Sequence, residues 1–152
     1  MIYLDHAATT PLHHEIIDEM YEVERNVFGN PSSLHSYGRE ARSYLNRARK
    51  FLAKSIHANE NEIIFTSGGT EANNLAVIGT ALRNQHRGNH IVTSAQEHNA
   101  IIHIMNYLQK LGFHVSYLRV NEDGLVDVNE LKRALTNQTI LVSIMSVNNE
   151  TG

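Results

Sequence analysis

The run Ile63-Ile64-Phe65-Thr66-Ser67-Gly68-Gly69-Thr70-Glu71-Ala72 carries the architecture of this chain in outline. Ile63-Ile64-Phe65-Thr66 is a short apolar run of strand type, and Ser67-Gly68-Gly69 is a turn. A helical pattern begins at once, with Ala72, Leu75, Ala76, Gly79 and Leu82 at helical spacing. The same alternation continues downstream. His90–Ser94 predicts a second strand, and Ile101, Ile104, Met105, Leu108 and Leu111 predict a helix stopped by Gly112. Phe113–Leu118 predicts a third strand and Asp123-Gly124 a turn. Asp127 with Glu130 resembles an acidic capping box, opening a short helix that carries Leu131, Ala134 and Leu135. Ile140–Met145 predicts a last strand, apolar except for Ser143. Strands alternating with helices predict an α/β fold with a mostly parallel sheet and flanking helices, and ligands at the carboxyl ends of the strands.

Upstream of this run the pattern is helical. Pro11 suits the first turn of a helix with Thr10 as cap, and Leu12, Ile16, Met20 and Val23 follow at helical spacing. The turn residues of Phe28-Gly29-Asn30-Pro31-Ser32-Ser33 break it. A second helix is predicted from Tyr37 to Lys54, with Ala41, Tyr44, Leu45, Ala48 and Leu52 on one face.

Composition narrows the functional classes. The chain has 152 residues, and its 16 acidic and 13 basic residues leave a net charge of -3, which is no footprint for nucleic acid. The absence of cysteine excludes disulfides, cysteine-ligated metals and a thiol nucleophile from these residues. No apolar run approaches the roughly 20 residues of a membrane span. The opening MIYLDHAATT lacks the basic start and apolar core of a signal peptide, so a cytoplasmic address is expected.

At the turn after Ile63–Thr66, glycine backbone N–H groups, the positive end of the following helix and the hydroxyls of Ser67 and Thr70 together suit a phosphate group. The run is neither a Walker loop nor a GxGxxG fingerprint. Taken by itself it fits equally a tight strand-to-helix turn that binds nothing. The ten histidines show no metal-binding spacing: His13 and His14 are adjacent, and His98 and His103 are five apart. No metal site is expected. His98 follows the strand that ends at Ser94, at the ligand edge of the sheet, and is either a ligand-facing group or a helix-start residue bonded to local backbone. Asn148 and Asn149 follow the last strand, as ligand-orienting amides or as an ordinary polar turn. None of Lys50, Lys54, Lys110 and Lys132 directly follows a strand, so no lysine here suits covalent cofactor attachment.

These motifs, in their order, resemble the cysteine desulfurases of the NifS/IscS type. The likeness rests on Tyr3-Leu4-Asp5-His6-Ala7-Ala8-Thr9-Thr10-Pro11 and on Gly29-Asn30-Pro31-Ser32-Ser33 with His35 and Gly38-Arg39. It continues through Phe65-Thr66-Ser67-Gly68-Gly69-Thr70-Glu71-Ala72-Asn73-Asn74, Glu97-His98 and Val147-Asn148-Asn149-Glu150-Thr151-Gly152. It covers essentially the whole chain.

The resemblance implies the class V branch of pyridoxal 5′-phosphate (PLP) enzymes, with an incomplete fold-type I large domain. Residues 1–55 would be the family's N-terminal helical segment and 56–152 the first part of the large domain, the rest of it and the small C-terminal domain being absent. Gly69 and Thr70 would hold the cofactor phosphate, His98 would stack on the pyridine ring and assist proton transfer, and Asn149 would bond near the ring oxygen or the substrate. The cofactor-bearing lysine and the sulfur-accepting cysteine have no counterpart here, so the chain alone is expected to be inactive. The intact family converts L-cysteine to L-alanine, passes sulfur to acceptor proteins for iron–sulfur cluster assembly or tRNA thiolation, and forms homodimers. Alternatives are a fragment of a selenocysteine lyase or other class V enzyme, or a non-catalytic short paralogue that binds a phosphate ligand or a partner subunit.

Overall fold

Two helices dominate the first part of the chain, α1 (His14–Asn26) and α2 (Ser36–Ser55). The predicted start of α1 at Pro11 is corrected. The helix begins only at His14, and His13 before it is extended (φ -62°, ψ 141°). Thr10 does not cap the helix; its hydroxyl donates to the His6 carbonyl at 3.4 Å. α1 buries none of its residues.

α2 begins within a residue of its predicted start, and His35 opens it, its Nδ1 accepting the Gly38 N–H at 3.3 Å. The preceding loop is fastened to this helix: Arg42 Nε donates to the Pro31 carbonyl at 2.7 Å, and the Arg39 guanidinium donates to that of Leu34. Of the predicted apolar face Ala41 is buried, whereas Leu45 and Leu52 stay exposed.

Ile63–Thr66 was expected to be a strand and is not one. Its backbone is extended at Ile63 (φ -93°, ψ 122°), yet among the described residues no strand pairs with it. Ile64 is 66% and Phe65 43% exposed. A strand is made by its neighbours' hydrogen bonds, and β propensity without a partner leaves only extended chain. Arg49 steadies it, donating from Nε to the Ile63 carbonyl at 3.3 Å and lying over the Phe65 ring.

The computed structural model describes residues 2–151, and the chain divides into two compact units, Met1–Phe65 and Thr66–Gly152. The second unit holds α3 (Gly69–Asn84), β1 (His90–Ser94), α4 (Asn99–Lys110), β2 (His114–Leu118), α5 (Val128–Ala134) and β3 (Thr139–Ser143). The three strands form one parallel sheet in the order β2-β1-β3. This is the α/β, parallel architecture expected from the sequence. All five residues of the central strand β1 are buried. Ile91 packs with Val77 and Ala81 of α3, Ile101, Ile104, Met105 and Leu108 of α4, and Phe113. His90, also buried, bridges both neighbouring strands through Thr139 Oγ1 on Nδ1 (2.8 Å) and Ser116 Oγ on Nε2 (2.9 Å).

Three expectations are corrected in this unit. The buried side of α3 is Val77 and Ala81, not the Ala72–Leu75–Ala76–Gly79–Leu82 stripe, where Leu75 is 49% and Leu82 41% exposed. The helix is apolar on more than one side, and periodicity cannot say which side meets a sheet. The acidic capping box is half formed: Asp127 accepts the Asn129 N–H at 2.8 Å, but Glu130 accepts the Arg119 N–H at 3.4 Å instead of turning back. β3 ends at Ser143, because the Met145 N–H leaves the ladder for the Glu97 carboxylate. Gly112 (φ 93°) and Gly124 (φ 77°) take the left-handed conformations their turns demand. Among the described residues no helix is long and apolar enough to cross a membrane.

Candidate functional site

The turn into α3 is open. A Cβ built on Gly68 or Gly69 would meet nothing within 4 Å. The first backbone hydrogen bond of the helix runs from Ala72 N–H to the Gly68 carbonyl at 3.1 Å. The N–H groups of Gly69, Thr70 and Glu71 therefore find no acceptor among the described residues. Such amides at a helix start, with the positive end of the macrodipole behind them, suit an anion.

One predicted donor is otherwise engaged. The Ser67 hydroxyl donates to Glu71 Oε2 at 2.6 Å, and the Ser67 N–H donates to the same oxygen at 2.7 Å. These two bonds hold the Glu71 carboxyl below the usual glutamate range. The hydroxyl of Thr70 donates to no residue described here, which leaves it as the side-chain donor of the corner.

His98 starts α4. Its Nδ1 accepts the Ala100 N–H at 3.0 Å, so the helix-start role foreseen as the plainer alternative is present. With Nδ1 accepting, the neutral ring carries its proton on Nε2. The ring is exposed and lines a cleft of about 330 Å³ together with Gln96, Glu97, Asn148 and Asn149. The structure thus brings His98 and Asn149 onto one cleft at the carboxyl ends of β1 and β3. The two asparagines differ. Asn148 is consumed by the loop: Nδ2 donates to the Gln96 carbonyl at 3.0 Å, and Oδ1 accepts the N–H groups of Glu150 (2.8 Å) and Thr151 (3.1 Å). The Asn149 amide is exposed and makes no side-chain bond among the described residues.

Residues 2–152 match the family model described as Aminotransferase class-V. The chain belongs to the class-V aminotransferase family. It is 50% identical to the cysteine desulfurase IscS of Dictyoglomus turgidum, over 99% of this chain and 38% of that protein. It is 49% identical to a putative cysteine desulfurase IscS 1 of Bacillus subtilis, over 99% of this chain and 40% of that protein. Among solved structures, a NifS-like protein superposes with a TM-score of 0.92 at 38% identity, over 96% of this chain and 40% of the other. SspA in complex with cysteine superposes at 0.91 with 34% identity, over 97% and 43%. The chain spans about two fifths of the length of the curated relatives it matches.

Within this class-V chain, sequence reasoning missed the residues that shape the cleft. Glu97 appeared only as part of the Glu97-His98 pair, and Gln96 not at all. Glu97 Oε1 accepts both the Ser94 hydroxyl at 3.0 Å and the Met145 N–H at 2.7 Å. Gln96 Nε2 donates to Thr151 Oγ1 at 2.7 Å. No local pattern signals bonds that join segments 48 to 55 residues apart.

Proposed function

We propose that this chain is the N-terminal portion of a PLP-dependent cysteine desulfurase. In this reading residues 1–55 are the N-terminal helical segment and 56–152 the first part of the cofactor-binding large domain. The observation that supports it best is the open corner at Gly68-Gly69-Thr70, whose unpartnered amides suit a phosphate. Gly69 and Thr70 hold the cofactor phosphate through their N–H groups and the Thr70 hydroxyl. Glu71 fixes the turn by bonding Ser67 rather than the ligand. His98 stacks on the pyridine ring and gives or takes a proton at Nε2, since Nδ1 is committed to Ala100. Asn149 donates toward the ring oxygen or the bound substrate.

Bound PLP supplies the electron sink for cleaving a carbon–sulfur bond. The substrate is L-cysteine, the product L-alanine, and the sulfur passes to acceptor proteins that serve iron–sulfur cluster assembly or tRNA thiolation. The protein works in the cytoplasm as a homodimer. The lysine that carries the cofactor and the cysteine that accepts sulfur belong to parts of the family that this chain does not span.

Two measurements test the reading. In a fluorescence titration with PLP, Thr70→Ala is expected to weaken binding about tenfold, the scale of one hydrogen bond to a charged group. Equal affinities would remove the phosphate role. The 152-residue chain by itself, with PLP added, is expected to release neither alanine nor sulfide from L-cysteine, because it contains no cysteine. Turnover by that sample would overturn the assignment of the sulfur-accepting step to a thiol outside these residues.

A further inference from the structure

Two loops meet at the carboxyl edge of the sheet, 95–98 after β1 and 144–151 after β3. The chain between them makes a long excursion through α4, β2 and α5. Backbone geometry alone does not fix where the second loop lies, because β3 has already ended at Ser143. Side chains fix it, and they come in two groups. The outer group is Asn148 on the Gln96 carbonyl (3.0 Å) and Gln96 on the Thr151 hydroxyl (2.7 Å). The inner one is Glu97: a single carboxylate oxygen takes the Ser94 hydroxyl and the Met145 N–H. The 2.7 Å bond to Met145 is a charge-assisted one, the stronger class of hydrogen bond. Met145 lies four residues before Asn149, and Glu97 immediately precedes His98. One carboxylate therefore sits between the attachment points of both cleft groups.

We infer that Glu97 is a positioning residue: by holding the Met145 amide and the Ser94 hydroxyl together, its carboxylate keeps Asn149 and His98 on one cleft, set for the ring of the cofactor. The inference rests on the proposed PLP reading and deepens it. Glu97 does not touch the phosphate corner, whose donors are the backbone N–H groups of Gly69, Thr70 and Glu71 and the Thr70 hydroxyl. Its effect belongs to recognition of the ring and not of the phosphate. The outer bonds of Asn148 and Gln96 do not depend on the Glu97 side chain, so its loss is expected to shift the loop without unfolding the unit.

The test separates ring from phosphate. The full chain is titrated with pyridoxine 5′-phosphate, which lacks the aldehyde and so cannot attach to surface lysines, and with inorganic phosphate. Glu97→Ala is expected to weaken pyridoxine 5′-phosphate about tenfold and leave inorganic phosphate within about twofold of the parent. Glu97→Gln, whose amide oxygen still accepts from Met145 and Ser94, is expected to restore most of the ring-dependent affinity. Thr70→Ala is expected to weaken both ligands alike. Unchanged pyridoxine 5′-phosphate affinity in Glu97→Ala, beside a weakened Thr70→Ala, would overturn the positioning role and leave the PLP reading standing. Equal loss of both ligands in Glu97→Ala would also overturn it, since that is the mark of general disruption. A parent chain that binds neither ligand, or a Thr70→Ala that loses neither, would overturn the phosphate corner and the Glu97 role with it.

Discussion

Two loop-to-helix corners in this molecule are built with glycine, and they use it for opposite ends. At the start of α2, glycine lets backbone pack on backbone. A Cβ on Gly29 would fall on the Tyr37 carbonyl, and one on Gly38 would fall on the Ser33 carbonyl. The orphan amides of that helix are also used, since His35 accepts the N–H of Gly38 with its ring and that of Arg39 with its carbonyl. At the start of α3, Gly68 and Gly69 face open space and three amides find no acceptor among the described residues. A closed corner is a structural joint. An open one, with donors left over, has room and amides for an acceptor. Sequence alone renders both as Gly-rich turns before a helix, and the surroundings of each glycine tell them apart.

The same substitution at the two corners should therefore act in opposite ways. Gly38→Ala is expected to destabilise its unit by about 3 kcal/mol, because the new methyl meets backbone that cannot move aside. Urea unfolding followed by circular dichroism measures it, and a loss of under about 0.5 kcal/mol would mean the corner is not close-packed. Gly69→Ala, assayed identically, is expected to be neutral or to stabilise by up to about 0.5 kcal/mol, since alanine favours the helix and its Cβ has room. A large destabilisation there would show that the second corner is closed as well.

The smallest effect concerns the acid at the open corner. Bonds from Ser67 hold the Glu71 carboxyl below the usual glutamate range. A group whose folded value is depressed stabilises the fold above its unfolded value and loses that contribution as pH falls through the folded one. Stability is therefore expected to be slightly higher above the ordinary glutamate range and to decline in more acidic solution, with Glu71→Gln flattening that slope. A carbon-detected NMR titration reads the carboxyl directly, and an ordinary or raised value would deny the Ser67 bonds.

Much of the second unit was legible in the residues. His90–Ser94 is a strand as predicted, and the stripe Ile101, Ile104, Met105 and Leu108 is the face that α4 buries. The α4 pattern is strong because that helix buries a single face. Ile63–Thr66 was misread: its apolar character fits a strand, but the described residues offer it no ladder. α3 failed differently, by offering two apolar sides where the sheet needed one. The sequence motifs point to Gly69, Thr70, His98 and Asn149 as candidate site residues. They do not show the commitment of Ser67 to Glu71, since a hydroxyl beside a glycine turn looks available until its neighbour's rotamer is seen.

The amino-acid order on its own determined the alternation of strand and helix from β1 onward, the glycine turns and the family motifs, because these are local: propensity, periodicity and turn chemistry act within a few residues. Only the folded unit decided which side of α3 is core and how the loops after β1 and β3 are laced by Glu97 and Asn148. Those bonds join residues 48 and 52 apart in the chain, and they exist because parallel strands bring their carboxyl ends to one edge.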